Sequence, residues 1–434
     1  MKVLLVGGGG REHALAWKIA QSPLVETIYA APGNPGIAEV AQCVPIAGSD
    51  LAQLKAFALE KDIDLAVIGP EDPLVAGLSD LLREAGIPVF GPSQKAAAIE
   101  GSKAFMKGLF AKYEIASAGY QVFTDPEACL AYVRKQGAPI VVKTSGLAAG
   151  KGAIVCQTLA EAEAAVHQIM VERAFGAAGD EVVVEDFLVG EEASFLALVD
   201  GENVLPLAGS QDHKAVGEGD TGLNTGGMGA YSPAPVLTDA LNQRVMDEVM
   251  IPTVRAMAAE GRPYRGVLYA GLMIDGDVIK VLEFNARFGD PEAQPVLMRM
   301  KSDLVPLLMA SAEGSLAGLT IDWDPRTALC VVMASGGYPG KYPKGIAISG
   351  LTEAAELSDL HVFHAGTRSD DSGQVVTSGG RVLGVTALGE GASAAQKRAY
   401  QGVAKISWEG AYHRNDIGYR AVAREREKSE SKGT

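Results

Sequence analysis

From Met1 to about Gly101, short apolar runs alternate with helical patterns: KVLLV, a helix from about Arg11, then TIYAA, LAVIG and IPVFG. That rhythm predicts βαβ units on a parallel sheet. From Ser102 the texture changes, opening with an amphipathic helix whose Phe105, Met106, Leu109 and Phe110 share one face. Between Ala138 and Ala208 the strand patterns PIVVK, GAIVC, EVVVEDFL, SFLALV and NVLPLA lie close together, with one helix opened by a Thr158/Glu161 capping box. A glycine-dense loop follows over Gly209–Tyr231, then a long helix after Thr238. Two strands, GVLYAGLMI and VIKVLEF, are joined by the hairpin signal Asp275-Gly276, and that pairing puts Leu268 opposite Glu283.

After about Asp324 a further α+β segment runs to about Arg424, with strands ALCVVMA, HVFHAGT, QVVTSGG and RVLGVTALG. The fold class is therefore α/β and α+β multidomain. A parallel-sheet domain covers 1–101, a central domain 102–323 and a C-terminal α+β domain 324–424. Residues 425–434 are charged without apolar periodicity and predict a frayed helix end and disordered tail.

The 434 residues suit roughly three domains at about 150 each. Apolar residues make up 47% of the chain but never run for the roughly 18 positions of a membrane span, and a signal-peptide start is missing. A cytoplasmic protein is expected. Cys43, Cys129, Cys156 and Cys330 stand far apart, which predicts free thiols, mostly buried. A net charge of −15 repels nucleic acid and anionic membranes, so any phosphate ligand must be held by local cations and backbone N–H groups.

Gly7-Gly8-Gly9-Gly10-Arg11-Glu12-His13 follows the first strand and opens a helix, the arrangement of an anion site. An NAD fingerprint beginning at Gly7 would need glycine where Glu12 stands, so the loop reads as a site for a phosphorylated small molecule; an empty glycine turn is the alternative. Gly146–Gly152 lacks the terminal Ser/Thr of a P-loop and lies between strands. It reads instead as a flexible lid whose N–H groups, with Gly150, Lys151 and Gly152, cover a polyphosphate. An ordinary hairpin with Lys151 in water competes with that reading. Lys143 ends its strand where a charge can meet phosphate. Lys103, in a first helical turn, opposes the macrodipole and makes sense beside an anion. Glu185–Leu188 reads as a linker whose carboxylate and backbone take an adenine edge, with Glu191 or Glu192 on the ribose hydroxyls.

Glu283 and Asn285 alternate on one strand and point both oxygens to one face, as magnesium or manganese accepts beside phosphate oxygens. Arg287 continues that face and can brace a transferring phosphoryl group. The loop containing Asp212, His213, Lys214 and Gly227 suits a substrate-closing role, with His213 as a candidate general base. His361 and His364 fall on opposite faces of a strand, which argues against a shared metal.

A glycine hairpin between strands, an upstream lysine, an acidic linker and a terminal E-x-N-x-R strand resemble the ATP-grasp superfamily. Within it, VGGGGREHALAW, GPEDPLVAGL, GLAAGKG, GEEASF, SQDHK, TGLNTGGMGAYSPAP, EFNARFGDPE and QPVLMRMKSDL are similar to the phosphoribosylamine–glycine ligase family over nearly the whole chain. The chain departs from that pattern at Gly8, Thr144, Ser145 and Leu223. The resemblance implies an ATP-grasp central domain whose residues 120–190 form a mobile lid. It implies ATP and Mg2+ (or Mn2+), and a monomer joining glycine to 5-phosphoribosylamine through glycyl phosphate. It places Lys103, Lys143, Gly150, Lys151, Gly152, Glu185, Leu188, Glu191 and Glu192 on the nucleotide. Gly9, Gly10, Arg11, Glu12, Gly69, Pro70 and Glu71, with Asp212, Lys214, Gly227, Arg287, Asp290, Glu292 and Arg381, fall on the substrates. Glu283 and Asn285 take the metal, and Arg287, Lys143, His213 and Asp212 the catalytic roles. A bicarbonate-using ATP-grasp carboxylase, an NAD-dependent oxidoreductase and a silent nucleotide-binding module are the competing readings.

Overall fold

A computed structural model of the chain describes residues 1–148 and 150–431. The N-terminal sheet has the order Gln42–Cys43, Thr27–Pro32, Lys2–Gly7, Leu65–Ile68, Val89–Phe90, with every neighbouring pair parallel. Val3 to Val6 are fully buried, as a strand covered on both faces requires. The chain leaves this strand at Gly7 and enters the helix Gly10–Ile19 directly, with the Glu12 carboxylate accepting from Gly9 N at 2.7 Å.

The crowded strands of the central region divide between two antiparallel sheets. Tyr120–Phe123, Val182–Asp186, Ile140–Thr144 and Ala153–Cys156 form one, over a core that includes Val133, Val142, Val166 and Val184. Val204–Pro206, Glu191–Asp200, Arg265–Asp275 and Val278–Asn285 form the other. Leu4, Leu74, Phe195, Leu268 and Phe284 belong to a single cluster, so this second sheet and the N-terminal unit pack as one body. The first sheet, in the segment expected to form the lid, carries its own core apart from that body.

The structure corrects the turn and register expected of the hairpin and the expectation of a plain loop over Gly209–Tyr231. The hairpin turns at Gly276 and Asp277, because Asp275 pairs with Val278 and Gly276 supplies the left-handed φ of 56°. A bulge between Gly271 and Leu272 then shifts the register, so Gly271 and not Leu268 faces Glu283. The glycine-dense loop holds four short strands, two of which, Gln211–Asp212 and Gly229–Ser232, extend the C-terminal sheet of Thr327–Ser335, Arg381–Gly389 and Leu360–His364. Residues 425–431 of the expected frayed helix end and tail continue the helix Tyr419–Ser431. Ala149 of the lid loop and residues 432–434 of that tail lie outside the described residues. The four cysteines are free, and all but Cys43 are buried. Among the described residues no helix is long and apolar enough to cross a membrane.

Candidate active site

A cleft of about 370 Å³ opens where the N-terminal sheet, the lid, the central sheet and the C-terminal unit meet. Glu283 and Asn285, alternating on Val278–Asn285, both face it. Among the described residues no group hydrogen-bonds to the Glu283 carboxylate or the Asn285 amide. Burial alone would raise the Glu283 pKa, yet Lys214, Lys103, Lys143 and Arg287 hold it down at about 2. Two hard oxygen donors thus stand free beside a ring of cations. No cluster of three or more His, Cys, Asp or Glu suited to a metal occurs among the described residues. A divalent ion fits here with two protein ligands and the rest of its shell from phosphate and water.

Lys103 starts a helix capped by Ser102, whose Oγ accepts from Phe105 N at 3.1 Å. Burial lowers the Lys103 pKa while Glu283 opposes that shift, which explains a lysine in a position the helix dipole disfavours. Ser145, beside the lid loop, ties the same helix start to the lid: its carbonyl accepts from Lys103 N at 2.8 Å and its Oγ from Ala104 N at 3.2 Å. Lys143, at the end of Ile140–Thr144, lines the cleft with its Nζ 3.0 Å from Glu185. Gly150, Gly152 and Leu188 line it too. Lys151 does not; its Nζ donates to Pro339 O at 3.1 Å and ties the lid loop to the C-terminal unit.

Neighbours on one strand separate sharply. Glu192 faces the cleft and pairs with Lys214 at 2.6 Å. Glu191, on the opposite face, lies outside the lining and is gripped by Arg424 at 2.8 and 2.6 Å and by Gln211 at 2.7 Å. The carboxylate of Glu185 is likewise already taken, by Lys143 and by Lys107. Asp212 lines the cleft, and burial pushes its carboxyl up against the opposing charge of Lys214. His213 points away. Its Nε2 accepts from Gly418 N at 2.9 Å, its Nδ1 lies 3.5 Å from Asp220, and burial lowers its pKa. The histidine expected as a base is therefore a buried brace for the C-terminal unit.

At the far end, Arg287 lies 3.2 Å from Glu71 and 2.9 Å from Glu100. Arg11 lies 3.6 Å from Glu71 and donates through its backbone N to Asp290 at 3.1 Å. The two guanidiniums hold the Glu71 carboxyl at about 2 against the burial that would raise it. Glu292 accepts from Tyr269 at 2.6 Å, and Arg381 donates to the carbonyls of Gly226 and Asp290 at 2.7 and 2.6 Å. A Cβ at Gly226 would sit 2.9 Å from the Arg381 guanidinium carbon and would have to displace that side chain. Arg11, Glu71, Asp290, Glu292 and Arg381 all line the cleft. Gly9, Gly10, Glu12, Gly69, Pro70 and Gly227 stand behind that lining. Glu12 is consumed by Gly9 N and by Arg11, 2.6 Å away.

Sequence reasoning missed Glu100 and Lys107. Glu100 accepts from Ala286 N at 2.7 Å as well as pairing with Arg287. Its one signal is a lone charge ending an apolar helical run. Lys107 stands one helical turn after Lys103 among apolar neighbours, a pattern also met in snorkelling lysines. His361 and His364, expected on opposite faces, both reach His13, with ring centroids 5.4 and 5.7 Å away, because the strand ends at His364.

Models of phosphoribosylglycinamide synthetase match almost end to end: the N domain over residues 1–100, the ATP-grasp (A) domain over 101–293 and the C domain over 328–420. The chain belongs to the phosphoribosylglycinamide synthetase family. This makes it an ATP-grasp ligase, using ATP with a divalent metal. The phosphoribosylamine–glycine ligase of Vibrio vulnificus (strain CMCP6) is 59% identical over 431 residues, covering 99% of this chain and all 100% of that one. The crystal structure of the Thermotoga maritima phosphoribosylamine–glycine ligase superposes with a TM-score of 0.83 at 32% identity, covering 96% of this chain and 100% of that chain. The biotin carboxylase domain of Hydrogenobacter thermophilus 2-oxoglutarate carboxylase gives 0.71 at 17% identity, over 95% of this chain and 91% of that one. That likeness is one of fold.

Proposed function

We propose that the cleft ligates glycine to 5-phosphoribosylamine at the expense of ATP, giving glycinamide ribonucleotide, ADP and phosphate in purine biosynthesis. The observation that carries this is one hollow in which Glu283 and Asn285 face Lys103, Lys143 and Lys214 and adjoin Arg11, Glu71, Arg287 and Asp290. Lys103 and Lys143 neutralise the ATP phosphates beneath the lid loop at Gly150 and Gly152, and Leu188 packs on the adenine. Glu283 and Asn285 hold Mg2+ (or Mn2+), which when bound neutralises charge on the phosphates. Asp212 and Glu292 receive the glycine ammonium. Arg11, Glu71, Asp290 and Arg381 hold the sugar phosphate, whose amine approaches from that end.

A glycine carboxylate oxygen attacks the γ-phosphorus and ADP leaves, giving glycyl phosphate; the sugar amine then attacks the carbonyl carbon and expels phosphate. Arg287, held rigid by Glu71 and Glu100, braces the transferring group. No protein nucleophile is needed. The units 1–101, 102–323 and 324–424 act as substrate-phosphate, ATP-grasp and closing domains, with 120–190 as the lid, in a cytoplasmic monomer. The test is isotopic. Glycine labelled with 18O in its carboxylate must pass one label into inorganic phosphate per turnover; unlabelled phosphate refutes the acyl phosphate route.

A further inference from the structure

The helix Lys103–Lys112 sets Lys107 one turn after Lys103 on nearly the same side. Lys103 lines the cleft, but Lys107 does not. The Lys107 side chain is 0% exposed, with the rings of Phe110 and Tyr120 centred 5.8 and 6.0 Å from its Nζ. An ammonium withdrawn from water to that degree persists only beside a counter-charge. Glu185 supplies it, with Oε2 2.9 Å from Lys107 Nζ, while its Oε1 lies 3.0 Å from Lys143 Nζ. One buried carboxylate is thus shared by two lysines, of which only Lys143 reaches the cleft. Neither Lys107 Nζ nor Glu185 Oε1 completes a well-aligned hydrogen bond with any described group, so charge more than directed bonding holds the trio together. Glu185 and Lys143 sit on neighbouring lid strands, and Lys107 on the helix beneath them.

We infer that Lys107 is a standing counter-ion to Glu185, which leaves Lys143 free to exchange that carboxylate for the phosphates of ATP. The inference rests on the reading of Lys143 as a phosphate ligand. When a polyphosphate enters, Lys143 can turn to it without stranding an unpaired buried carboxylate, because Lys107 stays. Without Lys107, Glu185 would have Lys143 alone, and every nucleotide would have to break a buried ion pair to recruit it. Lys107 touches neither nucleotide nor glycine; it is a positioning residue acting through Lys143.

The test is equilibrium binding to the full-length chain, by titration calorimetry with Mg2+, of adenosine and of the non-hydrolysable ATP analogue adenylyl imidodiphosphate. Lys107→Met should weaken the analogue by at least about tenfold and adenosine by less than about twofold. Adding Glu185→Gln to Lys107→Met should recover most of that loss, since no carboxylate then competes for Lys143. A role confined to packing predicts no recovery, and a double variant no better than the single overturns the inference. Lys143→Met tests the underlying reading separately. If it leaves the analogue's affinity intact, Lys143 is not a phosphate ligand; if it weakens the analogue while Lys107→Met does not, only the counter-ion role falls. Should Lys107→Met fail to fold, Glu185→Gln is compared with the double variant. The two should then bind the analogue within about threefold, and a gap of tenfold or more would overturn the inference.

Discussion

A carboxylate that faces a cleft and keeps its pKa near 2 despite burial must be balanced by nearby charge, and at Glu283 three lysines and Arg287 do this. The same lysines repel one another, so they need Glu283 or an incoming anion between them. The metal role proposed for this residue rests on its chemistry: an ionised, unbonded oxygen donor with an amide beside it on the same face. Glu283→Ala should therefore lower ligation by at least about a hundredfold while far-ultraviolet circular dichroism stays that of the parent. Unchanged turnover at saturating magnesium would refute the metal assignment. Glu100 shows what single residues conceal. Its importance lies in reaching Arg287 and Ala286 N across a sequence separation that no local pattern reports.

At the scale of elements, the seam between the first helix and the strand Leu360–His364 is built from three histidines that must stay neutral. The backbone N of His364 donates to His13 Nδ1 at 2.7 Å, Trp17 and Phe363 pack against His361, and His364 Nδ1 lies 3.1 Å from Thr367 Oγ1. Burial lowers His361 and His364 from 6.5 to about 4, and His13 falls well below its ordinary value for the same reason. Their folded pKa values are depressed, so below pH 6.5 the unfolded chain takes up protons that the folded chain refuses. Stability is then present above about pH 6.5 and lost as pH falls toward 4, by up to about 3 kcal/mol each at His361 and His364. His361 Nε2 is buried without a partner, so phenylalanine suits that position. The unfolding midpoint of His361→Phe should drop less between pH 6.5 and 4 than that of the parent; parallel profiles would contradict this.

These elements also mark how far the chain could be read in advance. The parallel strands are legible because burial on both faces leaves continuous apolar runs, and the metal strand because alternation puts Glu283 and Asn285 on one side. The short strands within Gly209–Tyr231 are not, because a strand of two to four residues carries no period, and the one that joins them to a larger sheet, Gly229–Ser232, pairs about a hundred residues away with Thr327–Ser335. Glu191 and Glu192 look alike in sequence. Only pairing with Arg265–Asp275 decides which of them faces the cleft. His213 looks like a base because its loop is rich in functional residues; the contact that turns it away, with Gly418 N, comes from 205 residues along the chain.

In the whole molecule, four sheets enclose one cleft, and the lid and the C-terminal unit each keep a core apart from the one that the N-terminal and central sheets share. The N-terminal and central sheets share their core, which fixes Glu283 and Asn285 relative to Arg11 and Glu71; on the proposed function, the segment bearing Lys143, Gly150 and Glu185 closes over ATP. The same fold serves carboxylases, so fold cannot decide which acid is activated. On the proposed function that choice falls to Asp212, Glu292, Arg11, Glu71 and Asp290, which line the same cleft. ADP release measured with glycine and freshly generated 5-phosphoribosylamine, each omitted in turn and glycine replaced by bicarbonate, tests this most directly. Sustained ADP formation is expected only with glycine and the sugar amine together. Equal ADP formation with bicarbonate in place of glycine, or with neither acid, would contradict it.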